Sequence, residues 1–381
     1  FNASNEIGIK KNSNLTTSIE NQVGHYNINT YNGTRHSSSK VFLKPILKNP
    51  RLNLLHNTQV KNLIIKDKKI TGIKIINKST EQIINLSHGA ILCSGSIMTP
   101  YLLMHSGIGD KEHLKQFDKE IIINNPNVGR NLQDHLGLDY LFKTHHHSLN
   151  KSLGTWSGRI TSVLRYLYNR KGPLSLSINQ SGGYVNWNSK HHYPNLQIYF
   201  NPLTYSITHK NKRPLLKTDK FNGFIIGYNS CRPKSLGRVS LNSPNFDDAP
   251  LIDPNFLSHE EDIHDVKCAI NFSKVLANTN NIKKIRNKSV KHDLLNASEE
   301  EMIDHFKSNA VSIYHPCGTC KMDEDPKKGV VSERLKVHGM ENLWIADASV
   351  FPNITSGNIN APVMMLANLG SKFIIEDLKK I

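Results

Sequence analysis

The 381-residue chain has no unbroken apolar stretch long enough to cross a bilayer. Its longest run without charge, residues 82–109, is cut by Gly89, Gly95, Pro100 and Gly107. Cysteine is scarce and odd in number, at positions 93, 231, 268, 317 and 320. Five thiols make no disulfide framework and point to a reducing compartment. A second CxxC is missing, so Cys317-Gly-Thr-Cys320 lacks the paired knuckle of a structural zinc site. The formal charge is +17, yet no block of Lys and Arg interleaved with aromatics occurs, which argues against a nucleic-acid surface. No GxGxxG is present either: Gly107-Ile-Gly109 and Val128-Gly129 lack the third glycine and a βαβ setting. The chain opens at Phe1, with neither Met nor a charged-then-apolar leader.

What is there is globular. With 38% hydrophobic and 21% charged residues, the length allows a sizeable core and about two domains. Asn, Lys and Ile are abundant throughout, a bias of composition that also explains the many Asn-x-Ser/Thr triplets. Short β-branched runs at 52–55, 60–65, 70–76 and 83–86, separated by Asn, Lys and Gly, predict strands. A further strand over 88–93 leads through Gly95 to a helix over 100–105, closed by Gly107. The turn-rich stretch PNVGRNLQDHLG, 126–137, offers few core positions and predicts a domain boundary. Strands are expected near 196–200 and 223–228, and a helix from about 260 to 277. Ser298-Glu-Glu-Glu301 predicts a capping box, opening a helix through Phe306. A strand over 343–346 and a last amphipathic helix to Leu378, with Leu366, Leu369, Phe373 and Ile374 at helical spacing, close the chain.

The segment YHPCGTCKM, 314–322, asks whether its chemistry lies in sulfur or imidazole. A thioredoxin-type pair opens a helix after a strand, whereas Lys321-Met-Asp-Glu-Asp-Pro reads as a loop, so the two cysteines are expected to shape a tight turn around Gly318. His315 is the more interesting group because of two segments further along the chain. NLWIADAS ends a short strand in Asp347, and TSGNINAP sets Pro362 in the first turn of the last helix. A carboxylate at a strand tip beside free helix N–H groups makes a cradle for an electron-rich cofactor.

YHPCGTCKM, RLKVHGMENLWIADASVFP and SGNINAPVMMLA, in this order and spacing, resemble the C-terminal part of the glucose-methanol-choline (GMC) flavin oxidoreductases. GSIMTPYLLMHSGIG (95–109) is similar to that family's second signature, NVGRNLQDHLG to the loop after it, and SLGRVSLNSP and PLIDPNFLS to the opening of its C-terminal region. The likeness, strongest to the choline-dehydrogenase-like branch, runs from about Gly33 to Phe373.

The resemblance implies an α/β chain, α+β overall: an incomplete FAD-binding Rossmann-type domain plus a substrate domain of mixed antiparallel sheet and helix. The expected divisions are 1–137, 138–310 and 311–381. It implies FAD-dependent oxidation of an alcohol, with hydride passing to flavin N5. His315 matches the catalytic base and Asn358 its partner, an amide that can hold the alcohol oxygen but take no proton. Asp347 is expected at the ribityl hydroxyls, the Ala348 N–H towards phosphate, the N–H groups of Ile359 and Asn360 near flavin N1 and O2, and the Val60 backbone at the adenine; no metal is implied. Departures are Asp323, where the family has Gly, Asn368 in place of Glu, and the missing glycine-rich loop. With Phe1 in first place, these predict the C-terminal two thirds of a longer protein. The expected partners are a small alcohol and an acceptor, a quinone-type carrier or O2, with room for a homo-oligomer; the expected location is the cytoplasm, free or at a membrane periphery. The competing readings are a non-catalytic relic that binds partners and, more remotely, a zinc- or nucleic-acid-binding protein.

Overall fold

The computed structural model describes residues 1–16, 19–208, 215–290 and 293–379. They form two compact units, each assembled from three stretches of chain: Phe1–Lys48, Leu136–Cys231 and Ile263–Ser312 in one, and Asn49–His135, Arg232–Asp262 and Ile313–Ile381 in the other.

The first unit is built on a largely antiparallel sheet. Its strands run in the order Lys10–Lys11, Gln22–His25, Ser181–Val185, Leu196–Asn201, Gly223–Ser230, Leu136–Thr144 and Arg286–Ser289, with Val311–Ser312 also pairing with Leu136–Thr144. Seven of the eight residues of Gly223–Ser230 are buried, as a central strand covered on both faces requires. Phe224 stacks between Phe142 and Phe200. The predicted capping box is formed at the helix Glu299–Asn309: Ser298 Oγ accepts from Glu301 N–H while Glu301 accepts from Ser298 N–H. That start aims Phe306 at Tyr228, where the rings stack.

The second unit opens with a three-stranded antiparallel sheet, Thr58–Lys66, Lys69–Asn77 and Thr80–Asn85. Both hairpins use two-residue turns in the left-handed region, Asp67-Lys68 and Lys78-Ser79, whose twist matches that of the strands. Residues 52–55, expected as a strand, are coil, and Leu54 and Leu55 are exposed; no neighbouring strand pairs with them among the described residues.

Strand Ala90–Leu92 pairs in parallel with Leu343–Ile345, and both point their carboxyl ends at one place. There Gly95, at φ +78°, opens the helix Gly95–His105, five residues earlier than the sequence predicts. Pro100 sits inside this helix and has no N–H for the Ser96 carbonyl. Thr319 Oγ1 supplies the missing donor at 2.6 Å. A residue inside the CxxC motif therefore completes a helix begun more than two hundred residues earlier. The loop 126–137 contains a division between the units, at His135 and Leu136, but differs from expectation in its burial: Val128, Leu132, Gln133, Asp134 and His135 are all inside. Its polar side chains are inside because each finds a partner there. The last helix, Asn360–Leu378, buries Gly370 and Ile374, half-buries Leu366 and Phe373, and leaves Leu369 exposed.

Candidate active site

Residues 313–317 lie along 133–135. Ile313 N–H donates to His135 O, Cys317 N–H to Gln133 O, and Gln133 N–H to Cys317 O, at 3.0, 2.9 and 3.1 Å. Tyr314 stands between them at φ +64°, a conformation uncommon for a bulky side chain, and its ring is left in solvent. This kink turns His315 inward. His315 N–H donates to the buried Asp134 carboxylate at 2.8 Å, and the His315 ring meets that of His135 edge-on. Their Nδ1 atoms are 3.0 Å apart, and the Nε2 of His315 lies 3.1 Å from Asn358 Nδ2.

These contacts set the tautomers. The Asn358 amide donates to Nε2 of His315, so that nitrogen carries a lone pair and no proton. Neutral His315 then bears its hydrogen on Nδ1 and donates it to Nδ1 of His135. Burial disfavours the imidazolium and lowers the pKa of His315 below the ordinary histidine value. The result is an imidazole kept neutral and oriented, with its basic nitrogen directed at an amide that can bind oxygen.

The sulfurs serve the turn. Cys317 and Cys320 are free thiols without exposed surface, and burial pushes the first up to about 12 and the second well above the usual range. Such thiols are poor nucleophiles and poor ligands. Their backbone does the work of holding the turn: Gly318 N–H donates to Ala348 O and Cys320 N–H to Ser349 O. Gly318 is required here, since its φ is +87° and a Cβ would stand 2.5 Å from the Asn131 carbonyl oxygen.

Asp347 ends the strand Leu343–Ile345 and clamps the facing loop. Its Oδ1 accepts from Ser349 N–H, and its Oδ2 from Gly95 N–H at 2.9 Å and Thr99 Oγ1 at 2.7 Å. Three of roughly four acceptor directions of the carboxylate are thus used within the chain. Ala348 and Ile359 meet in one apolar cluster with Cys317, Phe351 and Ile354, so the strand end, the turn and the helix start are packed together. Asn360 is the first residue of the last helix, whose opening N–H groups receive no side-chain cap. Val60 belongs to a different group: it lies on the edge strand Thr58–Lys66 and packs on the core around the helix Gly95–His105.

The fit to a dinucleotide rests on what the parallel strand ends leave unsatisfied. Ser96 Oγ, next to the Gly95 N–H that Asp347 holds, is buried with no hydrogen-bond partner. A buried hydroxyl at the start of a helix is a donor suited to phosphate and polyol oxygens, as are the uncapped N–H groups opening the helix Asn360–Leu378.

His135 and Asp134 were not legible from residue type, since an Asp-His pair in a turn-rich loop is ordinarily solvated. Nothing in the spacing ties that loop to a segment about 180 residues later. Thr99 and Ser96 escape notice likewise, being small residues in a helical signature.

Sequence models described as GMC oxidoreductase match residues 1–137 and 233–367. The chain is 31% identical over 373 residues to an "alcohol dehydrogenase [acceptor]" of Pseudomonas putida, covering 97% of this chain and 66% of that protein. It is 29% identical over 340 residues to an "oxygen-dependent choline dehydrogenase" of Cronobacter sakazakii, covering 88% and 59%. The chain thus spans less than two thirds of the length of these relatives. Its fold is that of a formate oxidase crystal structure, with a TM-score of 0.89 at 24% identity over 99% of this chain and 69% of that one.

Proposed function

This chain belongs to the GMC oxidoreductase family, which uses FAD, and on that premise we propose that it serves the oxidation of an alcohol to an aldehyde or ketone. The observation that carries the reading is the chain Asn358–His315–His135, with Nε2 of a neutral, buried imidazole facing an amide. The chemistry that bound FAD supplies is acceptance of hydride from the alcohol carbon.

The residues of the chain do the rest. A hydroxyl entering between Asn358 and His315 receives a hydrogen bond from the Asn358 amide and gives its proton to Nε2. His315 becomes imidazolium, and its Nδ1–H remains on Nδ1 of His135, which holds the ring in place. Asn358 has no site for a proton, so the base role falls to His315. The helix start at Ile359 and Asn360 favours negative charge nearby through its N–H groups and dipole. Asp347 orders the loop at Gly95 and keeps one acceptor direction for a polyol hydroxyl, with Ala348 beside it on the phosphate side and the Val60 backbone at the adenine. The acceptor that reoxidises the cofactor, a quinone-type carrier or O2, and any homo-oligomer belong to the same proposal. Peroxide release against dye reduction separates the two acceptors.

The test is anaerobic reduction of the flavin by alcohol in FAD-loaded protein. His315→Ala is expected to slow it by roughly 10²–10⁴-fold while flavin content stays unchanged. Reduction at the normal rate in that variant would sink the assignment.

A further inference from the structure

The helix Trp156–Asn169 is turned inside out. In a surface helix of a globular protein the apolar stripe faces the core. Here the packed side consists of Gly158, Ser162 and Tyr166, at spacing i, i+4, i+8. Gly158 lies against the backbone of Lys151 and Ser152, and Tyr166 Oη donates to Gly33 O at 3.0 Å. The opposite side carries Trp156, Ile160, Val163, Leu164 and Leu167, and all five are exposed: Trp156 is 77%, Leu164 60% and Leu167 63% accessible. At 100° per residue they fill an arc about 100° wide. Tyr168, 91% accessible, widens the arc to about 140°, and Arg159 and Arg165 are the first charged residues beyond its two edges, about 40° and 60° away.

Along the chain, the charge between Asp139 and Asp219 is of one sign. Residues 140–218 contain no Asp or Glu and eleven Lys or Arg, among them Lys151, Arg170 and Lys171 at the two ends of the helix. An apolar arc flanked by arginines, with Trp and Tyr at its ends, has the composition of a helix lying in a lipid interface, where aromatic rings and long cationic side chains reach the headgroup level. A second copy of the chain fits poorly, because a two-fold contact would set these cations against themselves. No described helix is long and apolar enough to cross a membrane, so the mode is lying on the surface.

We propose that the outer face of helix Trp156–Asn169 is a docking surface for an anionic lipid bilayer. The surface stands independently of the redox reading, and binding needs neither flavin nor turnover.

The test is cosedimentation of the whole protein with vesicles of phosphatidylcholine containing roughly one quarter phosphatidylglycerol, against phosphatidylcholine alone. At low salt the anionic vesicles should bind at least tenfold more tightly, with a blue shift of Trp emission that is absent in Trp156→Phe. Leu164→Ser/Leu167→Ser should lose the binding at least tenfold with the circular dichroism spectrum unchanged, because both side chains are exposed. Arg159→Gln/Arg165→Gln should lose the preference for anionic lipid. Three results would overturn the proposal: no binding to anionic vesicles at low salt, binding unaltered in the Leu double variant, or a dimer in solution that the same variant dissociates.

Discussion

A single ring nitrogen, Nε2 of His315, is what the local structure is arranged to present. Asp134 holds the His315 backbone, His135 holds Nδ1, and Asn358 faces Nε2. His135→Phe keeps the ring volume but removes the acceptor for the Nδ1 hydrogen. The imidazolium formed in the reaction then loses a partner, and the rate of flavin reduction should fall roughly 10- to 100-fold with the acid limb of its pH profile displaced. Burial lowers the pKa of His315, so the neutral base should be present below pH 6.5; flavin reduction is expected to persist under mildly acid conditions and to be lost only as pH falls through that lowered value. A limb above 6.5 would contradict this. Of these residues the sequence showed His315 and Asn358, because both stand in long motifs. It hid His135, whose meaning comes only from an antiparallel contact across about 180 residues.

The elements around the site depend on exchanges that no propensity scale contains. Pro100 would ordinarily end a helix, yet the Thr319 hydroxyl satisfies the carbonyl it leaves open. That is why residue pattern alone predicts the helix over 95–105 only from the proline onward. The loop 126–137 does hold a boundary, since one unit gives way to the other between His135 and Leu136, but it looks solvated because its turn residues are polar, whereas Asn131, Asp134 and His135 are partners of the turn 313–320. Residues 52–55 fail as a strand for the opposite reason, having the composition but no neighbour. By contrast, the capping box and the β-branched runs of 58–77 were legible, since a local pattern is enough to determine them. Gly318→Ala should strain that turn against the Asn131 carbonyl. A loss of roughly 2 kcal/mol or more in denaturant unfolding is expected, with slower flavin reduction because His315 rides on the same turn.

At the scale of the whole chain, the two units share one thread that passes between them five times. Neither is a contiguous piece, so nicking the chain by limited proteolysis should release no stable fragment corresponding to either one; an isolated, folded product of 136–231 would contradict this. A pH response of the fold itself originates in His105, buried against Tyr101 and Phe246 with its pKa lowered to about 4 by burial and by Lys119 and Lys61. A histidine kept neutral in the fold binds a proton more readily when unfolded. Its contribution is therefore complete above pH 6.5 and is lost as pH falls towards 4. Thermal midpoints should drop across that window, and His105→Gln should flatten the slope.

Of the five cysteines four are buried, and the fifth, Cys93, is exposed at the carboxyl end of strand Ala90–Leu92, with its thiol pKa raised by the partial loss of water around the sulfur and by the Asp347 charge. Native protein should accordingly accept one maleimide label, slowly and faster as pH rises, at the tip of the parallel strand pair. A fluorophore placed there would report directly on whatever occupies that strand end, giving an optical readout of loading that needs no catalysis.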